Sequence, residues 1–112
     1  MESRIEIGWL FDFYGPLLTE RQREMMTLWC EDDLSLSEIG SEMDISRQAV
    51  SDALHSAQAR LEEYEKKLGL LRRYRRITDG LQRCLTLLDA EESDTKGEVR
   101  KVIRELLSEE ET

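Results

Sequence analysis

Turn-forming residues are scarce in this chain of 112 residues: one proline, Pro16, and six glycines. That is too little turn chemistry for a many-stranded sheet. Its two cysteines, Cys30 and Cys84, have no partners at metal-ligand spacing. A zinc ribbon and a disulfide framework are thereby excluded, and two reduced, partly buried thiols are expected. No apolar run approaches the ~20 residues that span a bilayer. Glu2 and Glu6 stand where a signal peptide would carry cations. These absences point to a cytoplasmic protein without membrane insertion. Neither a glycine-rich phosphate loop nor a metalloprotease motif occurs, so no cofactor, metal or small-molecule substrate is expected.

What the chain does have is charge. Charged residues make up 37% and apolar residues 39%, a balance that supports a modest core and slim helical architecture. The formal charge is −9, a sign that repels nucleic acid at long range. Its distribution is uneven. Between Lys66 and Arg83 lie seven cations and one acid, a net of +6, which leaves −15 on the remainder. An anionic partner should therefore meet the chain at this block.

Apolar spacing predicts helices throughout, so the fold class is all-α. An aromatic opening around Trp9 to Tyr14 ends at Gly15-Pro16, where glycine is expected to take a left-handed cap. Thr19 with Gln22 and Ser35 with Glu38 have capping-box spacing. Ser46 should cap a longer helix from Arg47 to about Lys67, with an apolar stripe at Val50, Leu54, Ala57, Leu61, Tyr64 and Leu68. The same rhythm returns after Gly69 at Leu70, Tyr74, Ile77, Leu81, Cys84 or Leu85, and Leu88. Two such seams about one glycine predict a helical hairpin. A last helix from about Thr95 to Leu107 shows Val99, Val102, Ile103 and Leu106, and the acidic end SEEET is expected to fray. The expected division is residues 1–68, with a helix-turn-helix at about 35–58, and residues 69–112. The second part would be a long helical hairpin arm and last helix, packed on the first part or on a second subunit.

The helix-turn-helix expectation rests on several offsets at once. Ile39, Met43, Ile45, Val50 and Ala53 fall at inward positions, and Gly40 lies where the first helix lets the second approach. The outward face would show Arg47, Gln48, Ser51, Asp52, His55 and Gln58. Arginine and glutamine suit base edges, but this face lacks the cations that grip phosphates. A DNA-reading shape without the usual DNA grip is the expectation, with Ser46, Arg47, Gln48, Ser51 and His55 as the candidate contacts.

The second candidate is the basic block: Lys66, Lys67, Arg72, Arg73, Arg75 and Arg76. Arginines beside Tyr74 suit phosphate contact and base stacking. The alternative is a solvated face, or a set of intersubunit pairs with acids such as Glu62, Glu63 and Glu65. Catalysis is not expected. His55, Ser51, Asp52 and Ser56 all lie on one helix, where adjacent His55 and Ser56 point about 100° apart. The CEDD stretch at Cys30 to Asp33 reads as a solvated acidic turn.

The segments FDFYGPLLTERQRE, DDLSLSEIG, ISRQAVSDAL and EEYEKKLGLL, in that order, resemble the YlxM-like helix-turn-helix family, whose module is similar to region four of sigma factors. The likeness covers about Phe11 to Leu71. Matching residues are Phe11 to Gly15, Asp33 to Leu36 with Glu38 and Ile39, Ser46 to Val50, and Tyr64 to Leu70. The family more usually has alanine where this chain has Gly40, a change that looks sterically harmless. The resemblance implies an all-helical homodimer linked to the signal recognition particle pathway. The expected function is therefore a non-enzymatic accessory protein that binds the particle's RNA or its GTPase protein. A DNA-binding transcription regulator using Arg47 and Gln48 is the alternative, and a pure protein-interaction adaptor the second alternative.

Overall fold

In the computed structural model, residues 4–90 and 95–110 are described. Six α-helices account for nearly all of them, with no strand among the described residues: α1 (Arg4–Tyr14), α2 (Glu20–Cys30), α3 (Leu36–Met43), α4 (Arg47–Leu68), α5 (Leu70–Asp89) and α6 (Lys96–Glu110). The chain forms two compact units, Met1–Leu71 and Arg72–Thr112.

Local chemistry sets the helix starts of the first unit. Thr19 accepts from the Gln22 N–H, and Gln22 accepts in return from the Thr19 N–H. Ser35 and Glu38 form the same reciprocal pair. Each box satisfies two backbone donors that the helix itself leaves unpaired. Gly15 does not take the left-handed cap expected of it. It opens a 3-10 turn, Gly15–Leu17, and its role is steric: a Cβ there would lie 3.0 Å from the Phe11 ring.

α4 packs across α1, α2 and α3. Val50, Leu54, Ala57 and Leu61 are buried against Ile7, Tyr14, Met26 and Ile39. That is the stripe expected from sequence, but it needs no second subunit to cover it. Only Leu68 at its end is exposed.

The end of α4 is held by an anchor that sequence spacing does not show. Gly69 is left-handed at φ 65° and donates its N–H to the Glu65 carbonyl. The Tyr14 hydroxyl donates to Glu65 Oε1 at 2.6 Å and accepts the Leu70 N–H at 2.9 Å. The same Glu65 oxygen accepts the Leu71 N–H at 2.9 Å. The first two N–H groups of α5, which no helix satisfies internally, thus find a phenol and a carboxylate. Burial, and then the hydrogen bond to Glu65, push the Tyr14 hydroxyl above its ordinary pKa.

In the second unit α5 and α6 run antiparallel. Cys84 meets Val99 and Val102, Leu106 lies against Gly80, and Arg76 reaches Glu110. A Cβ on Gly80 would lie 2.7 Å from Leu106, so glycine lets the two helices close. This small core leaves Leu81, Leu85, Leu88, Ile103 and Leu107 exposed. Of the apolar α5 positions, Leu71 and Cys84 are the buried ones, while Leu70 and Tyr74 stand open. The tail is not frayed where it is described: α6 stays helical through Glu110, and residues 111 and 112 lie outside the described residues.

Candidate nucleic-acid interface

Two surfaces carry the candidate residues, one in each unit. The first is the helix-turn-helix formed by α3, the turn at Asp44-Ile45, and α4. Asp44 takes the left-handed conformation, φ 56°, at the end of α3, where a glycine would be unstrained. The Ile45 N–H then donates to the Gly40 carbonyl at 2.9 Å. A Cβ on Gly40 would sit 2.7 Å from the Ile45 carbonyl oxygen, a backbone atom. An alanine there is therefore not harmless in this chain; the turn would have to move.

Ser46 caps α4 by accepting the Ala49 N–H at 3.0 Å, so its hydroxyl is engaged in structure. Arg47 and Gln48 are exposed in the first turn. The Gln48 amide donates to Asp52 Oδ1 at 3.0 Å, and that bond competes with any base it might read. His55 is exposed with Nδ1 2.8 Å from the Ser51 carbonyl oxygen, and Ser51 is half-buried. Gln58 was expected on the outward face and is not there. It lies between Leu54 and Leu61 on the inward side, 7% exposed, in a pocket also lined by Trp29 and Leu36.

Catalysis has no support from the thiol beside this face. Burial pushes Cys30 up to about 11, so the thiol stays protonated and poorly nucleophilic at neutral pH. Among the described residues no group of three or more histidine, cysteine or carboxylate side chains could hold a metal. No helix among them is long and apolar enough to cross a membrane.

The second surface is cationic. Arg72, Arg73 and Arg75 are exposed on the first turns of α5, and Arg76 is half-buried. Arg73 pairs with Glu110, and Arg76 pairs with Glu109 and with Glu110, the latter at 2.6 Å. Arg73 holds the Glu110 carboxyl below the usual carboxylate range. The alternative named Glu62, Glu63 and Glu65 as intersubunit partners of the block; within the chain, Arg73 and Arg76 are met by the end of α6. In the first unit Lys66 and Lys67 are exposed near the end of α4, Lys67 at 3.1 Å from Glu63 one turn earlier. Sequence reasoning missed the α6 contact because it joins residues 34 apart in the chain.

Comparison with known proteins adds the family. The family described as "Putative helix-turn-helix protein, YlxM / p13 like" matches residues 1–104. The chain belongs to this family. A UPF0122 protein of Halalkalibacterium halodurans is 45% identical over 89 residues, which cover 80% of this chain and 82% of the relative. UPF0122 proteins of Bacillus cereus and Bacillus anthracis are 44% identical over 103 residues, 92% of this chain and 93% of theirs. The family's description is that of a helix-turn-helix protein.

Proposed function

We propose that this chain is a non-enzymatic accessory protein that binds RNA through the arginines of α5. It works as a cytoplasmic homodimer in the signal recognition particle pathway, on the particle's RNA. One observation carries the reading: Arg72, Arg73, Arg75 and Arg76 lie on consecutive turns of one helix beside the exposed ring of Tyr74. Arginine forks match phosphate oxygens, and an open aromatic offers a stacking surface for an unpaired base. The link to the particle comes from the family resemblance. The homodimer is supported by Leu81, Leu85 and Leu88 on α5 with Ile103 and Leu107 on α6, an apolar set that a second copy would cover.

The alternative, duplex DNA read through Arg47 and Gln48, is disfavoured by the bond from Gln48 to Asp52 and by the acids around that face. In a DNA-reading dimer the two α4 starts would lie ~34 Å apart. Affinity isolation from lysate, with and without nuclease, tests the proposal. The particle's RNA should co-purify with the wild type and be lost when Arg72, Arg73, Arg75 and Arg76 are changed to glutamate. A GTPase protein recovered equally after nuclease treatment, with no RNA dependence, would replace this reading with a protein adaptor.

A further inference from the structure

Gln58 is the one polar side chain in the buried set of the described residues. Its amide is not sealed off without a partner. An amide open to a pocket loses water when that pocket is filled, and then needs a hydrogen-bond partner on whatever fills it. Gln58 lines a pocket of about 170 Å³ whose other walls are Trp29 of α2, Leu36 of α3, and Ser51, Leu54 and His55 of α4. The volume is below the range of roughly 300–1,000 Å³ typical of small-molecule sites. It suits one inserted side chain.

The pocket's place in the fold limits what that side chain belongs to. Ser51 and His55 are residues of the helix-turn-helix face, so the pocket opens where a recognition helix would read bases. The segment from Trp29 to Gln58, which supplies all its walls, holds seven acids and the single cation Arg47, a net of −6. All seven acids are exposed. Arg4 adds a cation nearby, stacked 4.6 Å over the Trp29 ring, but it is paired with Asp33. A polyanion is repelled here and a polycation attracted.

We infer that this face docks a basic segment of a partner protein, which inserts one tyrosine between Trp29, Leu36 and Leu54 and bonds its hydroxyl to the Gln58 amide. The apolar walls take the ring. The amide offers both a donor and an acceptor, and a phenol can answer either. A phenylalanine would leave Gln58 unpaired, and a leucine would also forgo the aromatic contact with Trp29. The inference uses only the first unit and stands apart from RNA binding by α5.

The test uses the full chain carrying Trp9→Phe, so that Trp29 alone reports. The probe is a lysine-rich 12-residue peptide with one central tyrosine, compared with its phenylalanine and alanine versions. The tyrosine peptide should change Trp29 emission saturably, with affinity at least tenfold above the alanine peptide and about fivefold above the phenylalanine peptide. Gln58→Leu should erase the difference between tyrosine and phenylalanine. Ser51→Leu, which narrows the mouth, should weaken all three peptides to the alanine level. Equal binding of the three peptides by the wild type would overturn the inference, as would a Gln58→Leu protein that still prefers tyrosine to phenylalanine. So would a DNA duplex that changes Trp29 emission in the wild type and not in Ser51→Leu.

Discussion

The helix-turn-helix and the start of α5 divide between them what a nucleic-acid-binding protein usually combines. The first has the shape: a left-handed residue at Asp44, a glycine at the close approach, a serine cap, and an exposed helix start at Arg47. Its exposed charged residues are four acids, Glu38, Glu42, Asp44 and Asp52, and the single cation Arg47. The second has the charge, with four arginines between residues 72 and 76 on a helix that has no motif shape at all. Shape is fixed by sterics inside the unit, whereas phosphate affinity is set by cations on its surface. The two can part company, and in this chain they have.

The largest effect should come from breaking the charged half. Changing Arg72, Arg73, Arg75 and Arg76 together to glutamate should lower RNA affinity by about a hundredfold or more at low salt, read by a filter or fluorescence titration. The shape half is best broken at Gly40. Gly40→Ala should destabilise the chain by about 1–3 kcal/mol in denaturant melts, because its Cβ meets a backbone oxygen rather than a flexible side chain. Asp44→Gly, made in parallel, should stabilise by up to about 1 kcal/mol by relieving a left-handed residue.

A smaller effect sharpens the comparison from within the second unit. Glu109 and Glu110 already occupy Arg73 and Arg76; under the proposed function, RNA would have to displace them. Changing both to glutamine should raise RNA affinity about two- to fivefold at low salt, within the range of exposed ion pairs. The pH dependence has a definite sign. The Glu110 carboxyl is held below its ordinary range, so its pairing is fully present above the unfolded pKa and is lost as pH falls through the lowered one. The gain from the glutamine changes should therefore be present at neutral pH and shrink in acid. The smallest effect is expected at the helix-turn-helix: Arg47→Ala with Gln48→Ala should alter RNA affinity less than about twofold, since one exposed cation in an acidic surround adds little.

What could be read from the residues was mostly local. Three caps, at Thr19, Ser35 and Ser46, depend on partners three positions away, and they form as spaced. The α4 stripe is equally local in origin, and its burial follows from period alone. Periodicity does not say what covers a stripe. For α4 the cover is α1 to α3, and for α5 beyond Gly80 much of the stripe remains open. Gln58 was misplaced because a polar residue between two leucines was taken as surface, whereas it lies in a pocket also lined by Trp29 and Leu36. The Tyr14–Glu65 anchor and the Arg76–Glu110 pair escaped notice for one reason: their partners are 51 and 34 residues apart. Gly15 was misjudged in kind, since it serves close approach without positive φ; Gly40 was read correctly as a close approach, and only the tightness of that approach was missed.

The central claim is that polyanion grip resides in α5 and not in the helix-turn-helix. It is tested most directly by the slope of log affinity against log salt for RNA binding. The comparison needs the wild type, the double change Arg72→Gln with Arg75→Gln, and Arg47→Ala. Each lost phosphate contact to a single strand should reduce the slope by about 0.7, so the double change should flatten it by about 1.4 and Arg47→Ala should leave it unchanged. A slope that survives the double change and falls with Arg47→Ala would place the grip on the helix-turn-helix and contradict the account.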